Sequence, residues 1–323
     1  MKKVLVNKPI HDDALKRLAQ EVEVLTPFKA STEEILELLP EVQGIILCAG
    51  MKMFANEMDL AKKIEVIGRH GVGLDIVDVN AATERSIPVV FTPYGPTEST
   101  AEHALMLMMA TARRVVYLDR ETRKGNFNIR DHVVGNELFE GKLGVVGFGH
   151  IGQRLAEMCQ KALNMTVYVY DPFIDAREIE KHGAENCDSL IDLMEKADIV
   201  SLHIPSIAST RALINKEALV ALGPKGYLIN TSRGAVVDEA ALIDALQNGI
   251  IAGAGLDVYE PEPPQVDNPL FALDNVVLTP HLASFTEQGR RRMGLMVAED
   301  VLKMLRGETP TYCANFEVLD QSN

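Results

Sequence analysis

Gly147, Gly149 and Gly152 stand in the run GFGHIG, the spacing of a backbone that holds a pyrophosphate. The run directly follows the apolar strand candidate LGVV and opens the helix candidate IGQRLAEMCQKAL. In that setting the first glycine permits a tight turn, the second lets backbone approach the phosphates, and the third lets helix pack on strand. His150 and Ile151 fill the positions between and begin a helix whose N-terminal N–H groups face the anion. The next strand candidate, TVYVYD, ends in Asp171, 19 residues beyond Gly152. A carboxylate there bonds both ribose hydroxyls of NAD and repels the extra phosphate of NADP, so NAD is the expected cofactor.

Other chemistries find less support. Cys48, Cys159, Cys187 and Cys313 are scattered without a CxxC pair, so neither zinc nor a disulfide framework is expected, and a reducing compartment fits. His11, His132, His150 and His182 have no interpretable partner spacing. His103 reads as a satisfied helix residue, and His70 adjoins the loop Gly71-Val72-Gly73. The triplet Arg290–Arg292 reads as a solvated helix face. With 32 Lys+Arg against 46 Asp+Glu the net charge is −14, which disfavours nucleic acid or an anionic membrane as partner. No apolar run approaches the ~20 residues of a membrane span. The opening MKKVLVNKPIHDDALKRL turns polar too soon for a signal peptide, so a cytoplasmic protein is expected.

The elements that must position these residues alternate along the chain. Strand candidates Lys3–Val6, Val22–Leu25, Gly44–Cys48, Glu65–Ile67 and Val89–Phe91 are separated by amphipathic stretches such as Asp12–Ala19, Thr32–Leu39 and Asn56–Lys63. A second series begins near Leu143 with LGVVGFG, TVYVYD, DIVSLHI, GYLINTS, AGAGLDV and VVLTP, with helix candidates such as Ile151–Lys161 and Glu239–Gln247 between. Short apolar strands alternating with helices imply parallel sheets covered on both faces, here in two α/β units. Between the series, Thr97–Arg123 reads as one long helix. Its segment ALMLMMATA is apolar on every side and expected to be buried all round, either in the monomer core or against a second subunit. Glu287–Arg306 reads as a final helix, free to pack on the first unit.

At this point the residues resemble the D-isomer-specific 2-hydroxyacid dehydrogenases. Besides the glycine motif, the likeness is carried by GRHGVGLDIVDV (68–79), LINTSRGAVVDEAALIDAL (228–246), GLDVYEPEPP (255–264) and NVVLTPHLAS (275–284). The resemblance implies a catalytic set of Arg233, Glu262 and His281, although Glu260 also precedes a proline. It implies that His203 and Pro205, then Thr210, Thr231, Ser232 and Asp257, lie along the cofactor. It also implies that Val72 and Gly73 offer N–H groups to the substrate carboxylate and that the protein is a homodimer. The residue types suit those roles: an Arg fork holds a carboxylate and polarises its neighbouring carbonyl, and His exchanges protons near neutrality. No metal is needed, since Arg233 and His281 do the polarising.

The expected architecture is two doubly wound parallel-sheet domains. A Rossmann cofactor domain, 99–285, is inserted into a flavodoxin-like substrate domain of 1–98 plus 286–323. The expected reaction moves a hydride between nicotinamide and a small D-2-hydroxy acid or 2-oxo acid such as glyoxylate or hydroxypyruvate. Rivals are a phosphoglycerate dehydrogenase, a phosphite-oxidising relative and a corepressor-like dinucleotide sensor. Three departures weigh against the first. Cys48 follows GIIL where phosphoglycerate dehydrogenases carry an Arg for the phosphate, Ala283 replaces a glycine after His281, and the chain stops at 323.

Overall fold

The computed structural model describes residues 1–319. Two compact units emerge, Met1–Thr97 with the chain from Ser284 on, and Glu98–Ala283. The first contains five strands, β1 (Lys3–Val6), β2 (Glu23–Leu25), β3 (Gly44–Leu47), β4 (Val66–Arg69) and β5 (Val89–Phe91). They form a parallel sheet in the order β2-β1-β3-β4-β5. Alternate side chains go to opposite faces of a strand, and the cores obey that period. Leu5, Ile45 and Ile67 join one cluster, whereas Val4, Val6, Ile46 and Val66 join the other. The second cluster is completed by Val297 and Val301, from the helix Glu287–Leu305. That helix begins sharply because Thr286 caps it, its hydroxyl accepting from Gly289 N at 2.9 Å.

The second unit holds β6 (Lys142–Val146), β7 (Thr166–Tyr170), β8 (Glu185–Asn186), β9 (Ile199–Leu202), β10 (Tyr227–Asn230), β11 (Gly253–Leu256) and β12 (Val276–Leu278). Their order is β12-β11-β10-β9-β6-β7-β8, and every pairing is parallel. Val145, Ile199 and Ile229 pack on one face while Val146, Val200 and Leu228 pack on the other. Both sheets are therefore doubly wound, as the β/α alternation implies. The strand order reverses between β1 and β3 in the first unit and between β6 and β9 in the second. Such reversals open the crevices where ligands of these sheets bind, outside the carboxyl ends of the strands.

The Thr97–Arg123 expectation needs one correction. The segment is two helices, Thr97–Ala112 and Val115–Arg123, separated where Arg114 takes φ 52°. Neither Gly nor Pro marks that break in the sequence. Within a single chain the first helix is buried along one face. Ala104, Leu107, Met108 and Thr111 are buried on the face that recurs every three to four residues, but Met106 and Met109 are 42% and 47% exposed. Among the described residues no helix is long and apolar enough to cross a membrane.

Candidate active site

The glycine loop joins β6 to the helix His150–Leu163. Gly147 sits at φ +90°, and a Cβ there would lie 2.6 Å from the His203 carbonyl oxygen. At Gly152 a Cβ would lie 2.3 Å from Gly147 O, so helix and turn pack backbone on backbone. Gly149 differs: nothing lies within 4 Å of its missing Cβ. That open cradle lies at the N-terminus of a helix capped by no side chain, which suits a pyrophosphate. Ile151 turns partly into the core and His150 is exposed.

Asp171 sits one residue past β7. Its Oδ2 accepts from Phe148 N at 2.8 Å and its Oδ1 from Phe173 N at 2.9 Å. A carboxylate has about four acceptor sites, so two hydrogen bonds that fix the loop leave room for a diol. Following β9, His203 faces Ser201 Oγ with Nε2 at 2.9 Å, and burial pushes its imidazole down to about 4, so it is neutral at pH 7. Thr210 closes the loop beyond, donating to Pro205 O at 2.6 Å. Thr231, following β10, has a buried hydroxyl with no hydrogen-bond partner. Buried polar groups are nearly always paired, so this orphan, the empty cradle and Asp171 together fit a dinucleotide along this edge.

The three residues of the implied catalytic set follow β10, β11 and β12. Asn230 organises the first turn: its Oδ1 accepts from Ser232 N and Ser232 Oγ at 2.9 and 2.8 Å, and its Nδ2 donates to Arg233 O at 2.8 Å. Arg233 is half-buried, with Nη1 donating to Ser232 O at 2.7 Å. A Cβ on Gly234 would lie 2.0 Å from the Tyr259 carbonyl, so the Arg233 turn locks against the backbone that leads to Glu262.

Glu262 Oε2 lies 2.7 Å from His281 Nδ1. Glu260, its rival in the sequence, instead meets Arg211 at 3.4 Å. His281 takes φ 52°, an uncommon conformation for a residue with a side chain, and its N–H donates to Asp257 O at 2.7 Å. Asp257 is fully buried beneath this turn. Its Oδ1 accepts from Thr279 Oγ1 at 2.5 Å and Leu282 N at 3.0 Å, and its Oδ2 from Ala283 N at 2.9 Å. Burial works to raise the Asp257 pKa, but these bonds and His103 outweigh it and hold the carboxyl below the usual range. His103 completes the support, its Nε2 3.0 Å from Thr279 Oγ1. Burial, then the charges of Asp257 and Glu262, push the Tyr259 phenol up to about 12, and it donates to Thr279 O at 2.9 Å.

Glu262 and His281 thus stand on a rigid turn at the edge of a pocket of about 310 Å³, lined also by Tyr259, Pro264, Phe271 and Leu278. A carboxylate that orients one imidazole nitrogen leaves the other to exchange a proton with a reacting oxygen. Sequence reasoning missed Thr279, Tyr259 and Asn230. Only Asn230 carries a local signal, as a turn-forming residue at a strand end. In the first unit the Val72–Gly73 loop is gathered on Arg69, whose Nε donates to Gly73 O at 2.8 Å and Nη1 to His70 O at 2.6 Å. Val72 is 40% exposed. Among the described residues neither Val72 nor Gly73 N–H makes a backbone hydrogen bond.

Comparison with known proteins agrees with this geometry. Residues 105–283 match the family model described as D-isomer specific 2-hydroxyacid dehydrogenase, NAD binding domain. The D-3-phosphoglycerate dehydrogenase of Archaeoglobus fulgidus is 40% identical over 99% of this chain, which spans only 60% of that protein's length. The glyoxylate reductase of Korarchaeum cryptofilum is 38% identical, covering 98% of this chain and 97% of the relative. Among solved structures, the NADPH-dependent glyoxylate/hydroxypyruvate reductase of Sinorhizobium meliloti, in complex with NADP and malonate, has a TM-score of 0.85. It is 32% identical, with 97% of this chain and 96% of that one covered. Matched along both its units by such relatives, and across the glycine loop and the His281 turn by the family model, this chain belongs to the D-isomer specific 2-hydroxyacid dehydrogenases.

Proposed function

We propose that the protein is an NAD-dependent dehydrogenase interconverting a D-2-hydroxy acid and its 2-oxo acid. The observation that carries this reading is the 2.7 Å contact between Glu262 and His281 beside the pocket. When bound, NADH supplies the hydride that reduces the substrate's C2. Arg233 holds the substrate carboxylate and polarises the 2-oxo group, and His281 gives a proton to the oxygen as it becomes a hydroxyl. Asp257 acts as a positioning residue, fixing the turn that carries His281. Val72 and Gly73, on the first unit, are assigned amide contacts to the carboxylate. A cytoplasmic homodimer is part of the reading, supported by four free cysteines and by the exposed Met106 and Met109. Sedimentation at micromolar concentration tests the dimer, and a monomer would remove it.

The deciding measurement is NADH oxidation against a panel of 2-oxo acids: glyoxylate, hydroxypyruvate, pyruvate, branched and aromatic acids, and 3-phosphohydroxypyruvate. At least one should be turned over, and a panel without turnover would sink the proposal. Asp171 predicts the cofactor: NADH should exceed NADPH by well over about tenfold in kcat/KM, because the carboxylate bonds a diol and repels a phosphate. Equal efficiencies with the two cofactors would contradict that role.

Glu262 predicts a rate effect. Its carboxylate holds His281 Nδ1 at 2.7 Å, orienting the ring for proton exchange through the other nitrogen. Glu262→Gln should therefore lower kcat in both directions while NADH still binds. An unaltered kcat in Glu262→Gln would break the coupling. Glu260→Gln, whose partner is Arg211, should leave kcat where it is.

A further inference from the structure

A second histidine lies behind the proton donor, on a different element. His103 projects from the helix Thr97–Ala112, and its side chain is only 10% exposed. Its Nε2 stands 3.0 Å from Thr279 Oγ1 and 3.4 Å from Asp257 Oδ1. The protons at this junction can be counted. Asp257 accepts from Thr279 Oγ1, Leu282 N and Ala283 N, and its carboxyl is held below the usual range, so it is ionised near neutrality and has no proton to give. The single hydroxyl proton of Thr279 is therefore committed to Asp257, at 2.5 Å. A hydroxyl that has given its proton can only accept. The 3.0 Å bond thus runs from His103 Nε2–H to Thr279 Oγ1, and the ring must carry a proton on Nε2.

Thr279 passes that direction on to the catalytic turn. Its carbonyl accepts from the Tyr259 hydroxyl at 2.9 Å and from His281 N at 3.2 Å, while His281 N also donates to Asp257 O at 2.7 Å. At φ 52° His281 occupies a region that residues with side chains seldom adopt, and such a backbone persists only where its surroundings over-determine it. Without a donor from His103 the Thr279 hydroxyl is free to turn about its Cα–Cβ bond. Asp257 then loses the partner that fixes its Oδ1, and the Leu282 and Ala283 amides lose a fixed acceptor.

We infer that His103 is a positioning residue for the reaction: its Nε2–H orients the Thr279 hydroxyl onto Asp257, and so holds His281 where its proton reaches the substrate oxygen. This deepens the 2-oxo acid reading above and rests on it. The requirement is a hydrogen-bond donor at one point and not a charge, so a neutral amide of the same reach serves equally. The effect belongs to kcat, because the substrate carboxylate is assigned to Arg233 and the cofactor to the glycine loop and Asp171. A misplacement of about 1 Å at a reacting centre costs about 10²-fold in rate.

Substitutions at both ends of the chain of bonds, with one spectrum of the unaltered protein, test this. His103→Leu, which keeps bulk and loses the donor, should lower kcat by about 10–10²-fold with KM and NADH affinity little changed. Thr279→Val, which removes the hydroxyl, should do the same. The double variant should be no slower than either alone, since residues in one hydrogen-bond network do not act additively. His103→Gln, whose amide N–H reaches about as far as Nε2, should restore most of the rate. Long-range proton–nitrogen correlation spectra of the wild type should show His103 protonated at Nε2. Unchanged kcat in His103→Leu, losses that multiply in the double variant, or no rescue by glutamine would overturn the inference. So would a ring protonated at Nδ1 alone, a result that decides the matter even where a variant does not fold. An Nε2 proton in place, in a protein that oxidises NADH with no 2-oxo acid, would remove the hydride-transfer reading and keep the chain of bonds.

Discussion

His281→Ala is expected to slow reduction of the best 2-oxo acid by ~10²–10⁴-fold while NADH still binds, since that is what a positioned proton donor contributes. The loss should fall on kcat. The imidazole is held by Glu262 at Nδ1 and by the turn that Asp257 anchors, so its other nitrogen is the one free to serve the substrate. Cofactor affinity is a suitable control, because the glycine loop and Asp171 are held by contacts that do not involve this turn. Fluorescence titration with NADH alongside steady-state kinetics separates the two. A variant with kcat near wild type would take His281 out of the chemistry, and one that also lost NADH would point to a collapsed turn instead.

Arg233→Ala should damage binding and chemistry together, raising KM and lowering kcat, with kcat/KM down by about 10²–10³-fold or more. Removing one pre-aimed donor to a developing oxyanion already costs about that much. Arg233→Lys should recover only part, because an ammonium cannot reproduce two parallel N–H bonds to a carboxylate. The structure sharpens this expectation. Asn230 fixes the turn from within, and Gly234 fits against the Tyr259 backbone, so the guanidinium is delivered from a rigid base. A flexible lysine cannot exploit that base. Full kcat/KM in Arg233→Lys would remove the fork from the mechanism.

Much of the first layer of this protein is written locally. The strand–turn–helix around Gly147 needs only neighbouring residues, because its requirements are a turn, a close approach and a helix start, all set by backbone conformation. Asp171 is legible for the same reason, as the end of the very next strand. Apolar strands alternating with helices determine two doubly wound sheets, since a parallel sheet must be covered on both faces. The helix bounds follow where caps act locally, as at Asp238 before Glu239–Gln247.

Tertiary structure decided what depends on meetings between distant residues. The sequence offers two glutamates before prolines, and only the packed loops give Glu262 to His281 and Glu260 to Arg211. His103 lies 176 residues from Thr279, and no spacing rule connects them, yet together with Asp257 they support the His281 turn. The break at Arg114 escaped the sequence, and composition does not say which face of the apolar helix leaves Met106 and Met109 exposed. Arg290 is the clearest case. Read alone it is one of three basic residues on a helix, and only the fold brings its Nη2 to the Pro9 carbonyl, 281 residues away. Local spacing specifies conformation, whereas the partner of a charged side chain depends on which elements the fold lays beside it.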